Sequence, residues 1–196
     1  MQIVDTALES VKILEPKVFG DERGFFLESW NRAAFEQLGL PGEFVQDNHS
    51  RSVRGVLRGL HYQLRRPQGK LVRVTSGAVF DVAVDLRRDS AEFGRWSGVL
   101  LSAENRRQLW VPPGFAHGFL VLSESADFQY KCTEYYAPEH EHSLAWNDPA
   151  LGIDWPLAEV GVPSLSDKDR RAASLATCAV YETGGLGAAQ SLPRAA

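Results

Sequence analysis

Short apolar runs, separated at close intervals by Gly and Pro, dominate most of this chain. The clearest run spans 78–86, where apolar residues occupy every second position and Asp81 and Asp85 fall on the opposite face. Strict alternation is typical of a β-strand, whereas one face of a helix repeats every three to four residues. Many short strands at this spacing predict an all-β fold, a jelly-roll barrel with a few short peripheral helices.

Local signals place a hairpin, two helices and a tail around this barrel. Glycines in the segment 20–24 predict a turn between two strands. Asn31 can cap a helix over 31–38, which the following Gly and Pro end, and a second helix is expected from 167 to about 176. A length of 196 residues suits one domain. We expect residues 1–176 to form it and the Ala- and Gly-rich residues 177–196 to form a flexible tail.

Charge and composition argue against several classes of protein. The formal net charge of −4 is unlike that of a protein that wraps nucleic acid. The apolar runs fall far short of the roughly 20 residues that a membrane-spanning helix needs, and the mixed charges of the N-terminus are unlike a signal peptide. Two cysteines, Cys132 and Cys178, predict neither a disulfide framework nor a metal site. We therefore expect a cytoplasmic protein without nucleic-acid or membrane partners.

The stretch 55–77 carries a histidine and a lysine in apolar surroundings that are typical of strands lining a barrel. It resembles the first motif of the cupins, which has Gly, five residues, His-x-His, then Glu, six residues and Gly. Gly55 and His61 match the start of that motif. Gln63 stands in place of its second His, and Lys70 in place of its Glu. The second cupin motif matches P-P-G-F-A-H, which ends in His117.

These substitutions favour metal-free acid–base chemistry. Stable metal binding usually takes three or more protein ligands, and only His61 and His117 remain of the four expected ones. His61 suits a general base because the ordinary pKa of imidazole lies near neutrality. A proton next to a ketone is very weakly acidic, and Lys70 can stabilise the enolate that its removal leaves. We therefore predict no metal ligand set and an acid–base reaction beside a carbonyl group.

Long blocks of the sequence match one family in the right order. They include K-V-F-G-D-E-R-G-F-F-L-E-S-W, F-V-Q-D-N-H-S, V-L-R-G-L-H-Y-Q, Q-G-K-L-V-R-V, L-S-A-E-N-R-R-Q-L-W-V-P-P-G-F-A-H-G-F and L-S-D-K-D. From about Ile13 to Arg170 the chain resembles the dTDP-4-dehydrorhamnose 3,5-epimerases. The resemblance implies an isomerase of dTDP-L-rhamnose biosynthesis that needs no cofactor. It would invert the two carbons flanking the 4-keto group of dTDP-4-dehydro-6-deoxy-D-glucose.

The resemblance also implies the catalytic residues. His61 would abstract the proton, oriented by Asp169 of S-D-K-D, and Tyr130 of F-Q-Y-K would deliver a proton from the opposite face. Lys70 would hold the enolate, with Asp81 as a partner for its ammonium group. From the residues alone, Tyr130 also suits a core position, and Asp169 suits a carboxylate at a helix N-terminus.

A further set of matching positions would bind the dTDP-sugar. The planar fork of arginine suits a pyrophosphate, and three cations match pyrophosphate contacts, namely Arg23, Arg58 and Lys168. Phe19 and Tyr136 are expected walls for thymine and sugar. The other matching contacts, besides Lys70, are Glu28, Gln46, Asp47, Asn48, His117 and Glu141.

In this family the hairpin segment 23–28 reaches into the neighbouring subunit, so the resemblance implies a homodimer. Three other functions remain open. Relatives that act on antibiotic sugars invert only one carbon or move the ketone, a metal-dependent cupin enzyme would use the two histidines, and a binding module would hold the sugar nucleotide without turnover. The His61–Asp169 pair and Tyr130 argue against the binding module, because binding alone needs neither.

Overall fold

The computed structural model describes residues 1–182, and residues 183–196 of the predicted tail lie outside the described part. The strands are β1 (Gln2–Asp5), β2 (Lys12–Glu15), β3 (Val18–Asp21), β4 (Gly24–Leu27), β5 (Gln46–Val53), β6 (Leu57–Gln63), β7 (Lys70–Ser76), β8 (Ala78–Asp85), β9 (Trp96–Ser102), β10 (Gln108–Val111), β11 (Phe115–Val121), β12 (Ser125–Cys132) and β13 (Glu141–Ser143). The α-helices are α1 (Arg32–Gln37), α2 (Leu157–Val160) and α3 (Asp167–Arg170). Within residues 1–182 no helix has the length and apolar character needed to cross a membrane.

Two antiparallel sheets make up the barrel. One sheet has the strand order β1-β2-β10-β7-β12-β5 and the other has the order β13-β6-β11-β8-β9. Strands β3 and β4 form the predicted hairpin as a separate pair. Helix α1 begins as expected, since the Asn31 side chain accepts a hydrogen bond from the backbone N–H of Ala34 at 3.2 Å. The prediction of an all-β jelly roll with short peripheral helices is confirmed.

Apolar side chains from both sheets fill the space between them. Val72 and Phe128 come from the six-stranded sheet, and Val79 and Phe119 come from the five-stranded sheet. The rings of Phe119 and Phe128 stack with their centroids 4.1 Å apart, which brings the inner faces of the two sheets into direct contact. Each fully buried side chain of this kind contributes roughly 1.5–3 kcal/mol to the free energy of unfolding.

Strand β8 is buried on both faces, which its alternating sequence does not reveal. Asp81 and Asp85 are both fully buried. The outer face of this sheet is covered by a second apolar cluster that includes Trp155 and Tyr181 from the C-terminal part of the chain. Because a buried carboxylate needs partners, Asp85 accepts hydrogen bonds from Arg87, and Asp81 is paired inside the barrel.

The packed chain extends beyond the domain boundary predicted at residue 176. Val180 and Tyr181 are buried, and the Tyr181 hydroxyl donates a hydrogen bond to the carbonyl of Gln63 at 2.7 Å. Glu182 forms an ion pair with Arg88. Composition favoured a tail from residue 177, but two apolar side chains in this segment are buried against the outer face of the five-stranded sheet. Helix α3 is also shorter than expected, since it ends at Arg170.

Candidate active site

The register of the six-stranded sheet aligns polar side chains on its inner face. Cys132 of β12 is paired with Lys70 of β7 on one side and with Gln46 of β5 on the other. Two residues along β12, Tyr130 is paired with Asn48. Paired residues in antiparallel strands point to the same face, so these side chains lie together on the side that faces the other sheet.

The five-stranded sheet contributes the opposite wall. His61 and Gln63 are two residues apart on β6 and therefore point to one face, and Glu141 of β13 is paired with Gln63. Together the two sheets enclose a cavity of about 280 Å³. It is lined by Gln46, Asn48, His61, Tyr62, Gln63, Gln68, Lys70, Tyr130, Tyr136 and Glu141. Seven of the predicted site residues thus line one cavity.

His61 forms a hydrogen-bonded pair with Asp169 from α3. Its Nε2 lies 2.6 Å from Oδ1 of Asp169, whose other oxygen accepts a hydrogen bond from the Ser166 hydroxyl at 2.8 Å. Asp169 is only 4% exposed. Burial lowers the pKa of His61, although the Asp169 hydrogen bond opposes this shift, so the imidazole is neutral near pH 7. Burial raises the pKa of Asp169, but the hydrogen bonds from His61 and Ser166 outweigh it and leave that pKa below its usual value. This is the arrangement that a general base needs.

Lys70 projects into the cavity without an ion-pair partner among residues 1–182. Burial lowers the pKa of its ammonium group, while Cys132 and Glu141 oppose that shift. The expected partner Asp81 instead lies 2.9 Å from Nε2 of His117, with both side chains buried. Asp81 therefore acts on Lys70 only through longer-range attraction. His117 does not line the cavity, although it is paired with His61 across β6 and β11.

Tyr130 lines the cavity from the sheet opposite to that of His61. Its hydroxyl has no hydrogen-bond partner in the described part of the chain, so it is available to a ligand in the cavity. Burial raises the pKa of this phenol, and the nearby Arg58 opposes the shift. The hydroxyl therefore remains protonated near neutral pH and can act as an acid. Arg58 itself donates a hydrogen bond to the Ser52 hydroxyl at 2.9 Å.

Polar side chains are also joined at the rim of the cavity. Lys168 donates to one oxygen of Glu141 at 2.8 Å, and the Tyr136 hydroxyl donates to the other at 3.0 Å. Burial raises the pKa of Glu141, but the Lys168 hydrogen bond leads a set of contacts that leave it below its usual value. Gln46 accepts from the backbone N–H of Tyr136 and donates to the Asn48 side chain. The side chains of Gln46 and Glu141 are therefore both engaged in hydrogen bonds with other residues of the chain.

Four of the predicted site residues lie away from this cavity. Asp47 points to the outer face of the six-stranded sheet, where it pairs with Lys131 at 2.7 Å. Phe19, Arg23 and Glu28 lie on or beside the β3–β4 hairpin, are all exposed, and line no part of the cavity. Arg23 pairs with its neighbour Asp21 on the hairpin. A single chain therefore does not assemble the full predicted set.

Three residues that line the cavity were not predicted as site residues, namely Tyr62, Gln63 and Gln68. Gln63 carried a signal in the sequence, because it occupies the position of a cupin metal ligand. Within residues 1–182 no group of three or more His, Cys, Asp or Glu side chains is arranged to hold a metal ion. The two histidines of the cupin positions are each paired with a carboxylate instead.

The chain matches known proteins of one family along most of its length. The family model of dTDP-4-dehydrorhamnose 3,5-epimerase matches residues 5–177. The dTDP-4-dehydrorhamnose 3,5-epimerase of Pseudomonas aeruginosa is 62% identical over 177 residues, which cover 90% of this chain and 97% of that relative. The Escherichia coli enzyme of the same name is 60% identical over 173 residues, covering 87% of this chain and 92% of that enzyme.

A solved structure agrees equally well. The crystal structure of a dTDP-6-deoxy-D-glucose-3,5-epimerase from Legionella pneumophila, in complex with dTDP-4-keto-L-rhamnose, superimposes with a TM-score of 0.89 at 54% sequence identity. The match covers 92% of this chain and 97% of that chain.

Proposed function

The chain belongs to the dTDP-4-dehydrorhamnose 3,5-epimerase family, and we propose how its residues carry out the reaction of that family. The reaction inverts the two carbons flanking the 4-keto group of dTDP-4-dehydro-6-deoxy-D-glucose and gives dTDP-4-dehydro-L-rhamnose. One observation carries the assignment of residues. His61 and Tyr130 come from opposite sheets and line one cavity, which Lys70 also lines.

His61 removes the proton from the carbon next to the ketone. Its Nε2 is held by Asp169, so Nδ1 is the nitrogen that accepts the proton. The buried carboxylate of Asp169 then stabilises the imidazolium that forms. The lowered pKa of His61 supports this assignment, because the base is neutral before the reaction begins.

Lys70 stabilises the enolate, and Tyr130 returns a proton from the other face. An ammonium group without an ion-pair partner among the described residues can place its charge on the ketone oxygen, where negative charge develops. The protonated Tyr130 hydroxyl can donate to the carbon on the side opposite His61. Removal from one face and return to the other inverts the centre. After the ring reorients, the same groups act at the second carbon once His61 has released its proton to solvent and Tyr130 has regained one.

The nucleotide part of the substrate is bound by cations and by the rim. We assign Arg58 and Lys168 to the pyrophosphate, since Arg58 lies on β6 with His61 and Lys168 donates to Glu141, which lines the cavity. Tyr136, on the rim, is the wall for the thymine or the sugar. The dTDP-4-keto-L-rhamnose in the Legionella pneumophila structure supports a dTDP-sugar as the ligand.

A homodimer completes the site. The β3–β4 hairpin exposes Phe25 and Phe26 at 61% and 68%, which is unusual for two adjacent aromatic side chains and supports a contact with another chain. Phe19 and Arg23 lie on the same hairpin, outside the cavity of their own chain. We propose that they serve the cavity of the neighbouring subunit, together with Glu28 just after the hairpin.

Mixing two variants tests this exchange of residues. In an Arg23→Ala and His61→Asn heterodimer, one cavity combines an intact His61 with the partner's intact hairpin. Each variant alone is expected to be nearly inactive, and refolding a one-to-one mixture is expected to restore about a quarter of the wild-type activity. A mixture that stays as inactive as its components would rule out a shared site.

Turnover in deuterium oxide tests the function itself. The wild-type enzyme is expected to release product with two deuterium atoms, one at each inverted carbon, without added cofactor and in the presence of a chelator. His61→Asn is expected to abolish this exchange while dTDP still binds. One deuterium at a single inverted carbon would identify a single-centre epimerase instead, and activity lost on chelation would identify a metal-dependent enzyme.

We also propose a cytoplasmic location. Cys132 and Cys178 are both free thiols, which suits a reducing compartment. Fractionation of the native cells is expected to recover the activity with cytoplasmic markers.

A further inference from the structure

Gln63 is a buried amide that the reaction does not use. It lines the cavity together with His61 and Lys70, and the residue is only 3% exposed. Its Nε2 donates to the backbone carbonyl of Arg66 at 2.8 Å and to that of Tyr135 at 3.2 Å. Its Oε1 accepts from the backbone N–H of Ala137 at 2.8 Å. A single side chain therefore satisfies three backbone groups in two loops.

Two of these bonds flank Tyr136, the aromatic residue at the rim of the cavity. Gln63 donates to the carbonyl of the preceding residue and accepts from the N–H of the following one. The side chain of Gln46 accepts a hydrogen bond from the N–H of Tyr136 itself at 2.8 Å. Tyr136 is 51% exposed and lies between β12 and a 3₁₀ turn at Pro138–His140, outside any strand. Because half of Tyr136 lies in solvent, the hydrogen bonds of its backbone and of its hydroxyl to Glu141 largely determine where the ring stands.

Gln63 is itself held firmly. The Tyr181 hydroxyl donates to its carbonyl at 2.7 Å, and its strand pairs with β13 and β11. The residue type also matters, since only a primary amide offers one acceptor and two donors from the same side chain at this length. Neither the histidine of the cupin motif nor a glutamate supplies that combination.

We propose that Gln63 is a positioning residue that fixes Tyr136 over the cavity for the dTDP-sugar. The inference rests on the proposed function, in which Tyr136 is a wall of the binding site. Gln63 thus has a positioning role where the cupin motif has a metal ligand. Gln63 acts on binding through Tyr136, whereas His61 keeps its own partner Asp169 and its place on β6.

The test is a double-mutant cycle read in KM and kcat. Gln63→Met keeps the length of the side chain and removes all three hydrogen bonds. We expect KM for the dTDP-sugar to rise about tenfold while kcat falls less than about threefold. Tyr136→Ala is expected to raise KM by a similar factor. In the Tyr136→Ala background, Gln63→Met is expected to change KM by less than about twofold, because the residue it positions is gone.

Thr6→Val is the matched control. The Thr6 hydroxyl also makes three hydrogen bonds to backbone groups, in the turn between β1 and β2, and the residue does not line the cavity. This variant is expected to lower the melting temperature and leave KM unchanged. Should Gln63→Met not fold, Gln63→Glu removes both donors, keeps the acceptor for Ala137, and is read by the same criteria.

Two results would overturn the proposal. One is an equal rise in KM in the wild-type and Tyr136→Ala backgrounds, and the other is a loss of stability with KM unchanged, as in the Thr6→Val control. These outcomes are separate from a failure of the proposed function, which would appear as absence of deuterium incorporation by the wild-type enzyme.

Discussion

Replacing Asp169 by Asn tests whether the charge of Asp169 assists His61. The substitution removes that charge, and the surrounding structure allows the hydrogen bond to His61 to be kept. The two oxygens of Asp169 have different partners, His61 at 2.6 Å and the Ser166 hydroxyl at 2.8 Å. An asparagine can keep its carbonyl toward His61 and turn its amide toward Ser166, whose oxygen is able to accept. The imidazole then retains the same tautomer and orientation.

The expected loss follows from the charge alone. Asp169 is 4% exposed, so its attraction for the imidazolium formed in the proposed reaction is weakly screened. A hydrogen bond to a charged group contributes about 1.5–3 kcal/mol and a neutral one about 0.5–1.5 kcal/mol. A difference of about 1–2 kcal/mol lowers kcat about 5- to 30-fold. A loss near 10⁴-fold would instead mean that the tautomer is lost as well.

The pH profile provides a second readout with a defined sign. Asp169 raises the pKa of His61 through their hydrogen bond and its charge. Removing that charge lowers the pKa of His61, so the acid limb of kcat/KM is expected to move to lower pH. Steady-state rates between about pH 4 and 8 measure both effects, since the ordinary pKa of imidazole lies within that range.

Asp167→Asn is the control, because it removes the same charge from the same helix at a side chain that is 86% exposed. It is expected to change kcat by less than about twofold. An Asp169→Asn enzyme with wild-type kcat, or with its acid limb moved to higher pH, would refute the assigned pairing.

Three further predictions concern other groups. Lys70→Met is expected to lower kcat about 10²- to 10³-fold, since it removes the charge opposite the enolate. It should also move the acid limb to higher pH, because Lys70 lowers the pKa of His61. Tyr130→Phe is expected to reduce inversion about 10²-fold while proton exchange with deuterium oxide continues, as measured by mass spectrometry and NMR. Hydrogen bonds from Arg51, and then His49, lower the pKa of Asp127 from 3.8 to about 2. The charged form of Asp127 therefore stabilises the fold above about pH 4, and this contribution is lost as the pH falls toward about 2. Asp127→Asn should flatten the dependence of the melting temperature on pH in that interval.

Part of the cavity lining could be predicted because it depends on residue types at fixed spacing. His61 and Lys70 are nine positions apart on two strands, and the cupin-like pattern around them indicated that both face the interior. The many short strands indicated the jelly roll and the long matching blocks indicated the family, and the fold and the comparisons confirm both. Asp169 was matched by its motif, although it lies 108 positions from His61.

Motif matching was least informative where neighbouring residues of one block diverge in space. Gln46, Asp47 and Asn48 are consecutive in one matched block, yet Asp47 points away from the other two. A strand sends successive side chains to opposite faces, so a contiguous match cannot place them all in one cavity of the same chain. Similarly, Asp81 is fully buried beside His117, because it points between the two sheets on the same face of β8 as Val79, while a distant part of the chain covers the other face.

By itself, the sequence determined the strand periodicity, the turns and the set of groups able to move a proton, since these are local properties of the chain. The tertiary structure decided which groups meet. Closure of the two sheets brought His61 and Tyr130 into one cavity and paired Asp81 with His117 instead of Lys70. Tyr181, from the predicted tail, packs against Gln63. The physical reason is that these contacts join residues far apart in the chain, and they form only where burial of the surrounding apolar surface holds the two sheets together.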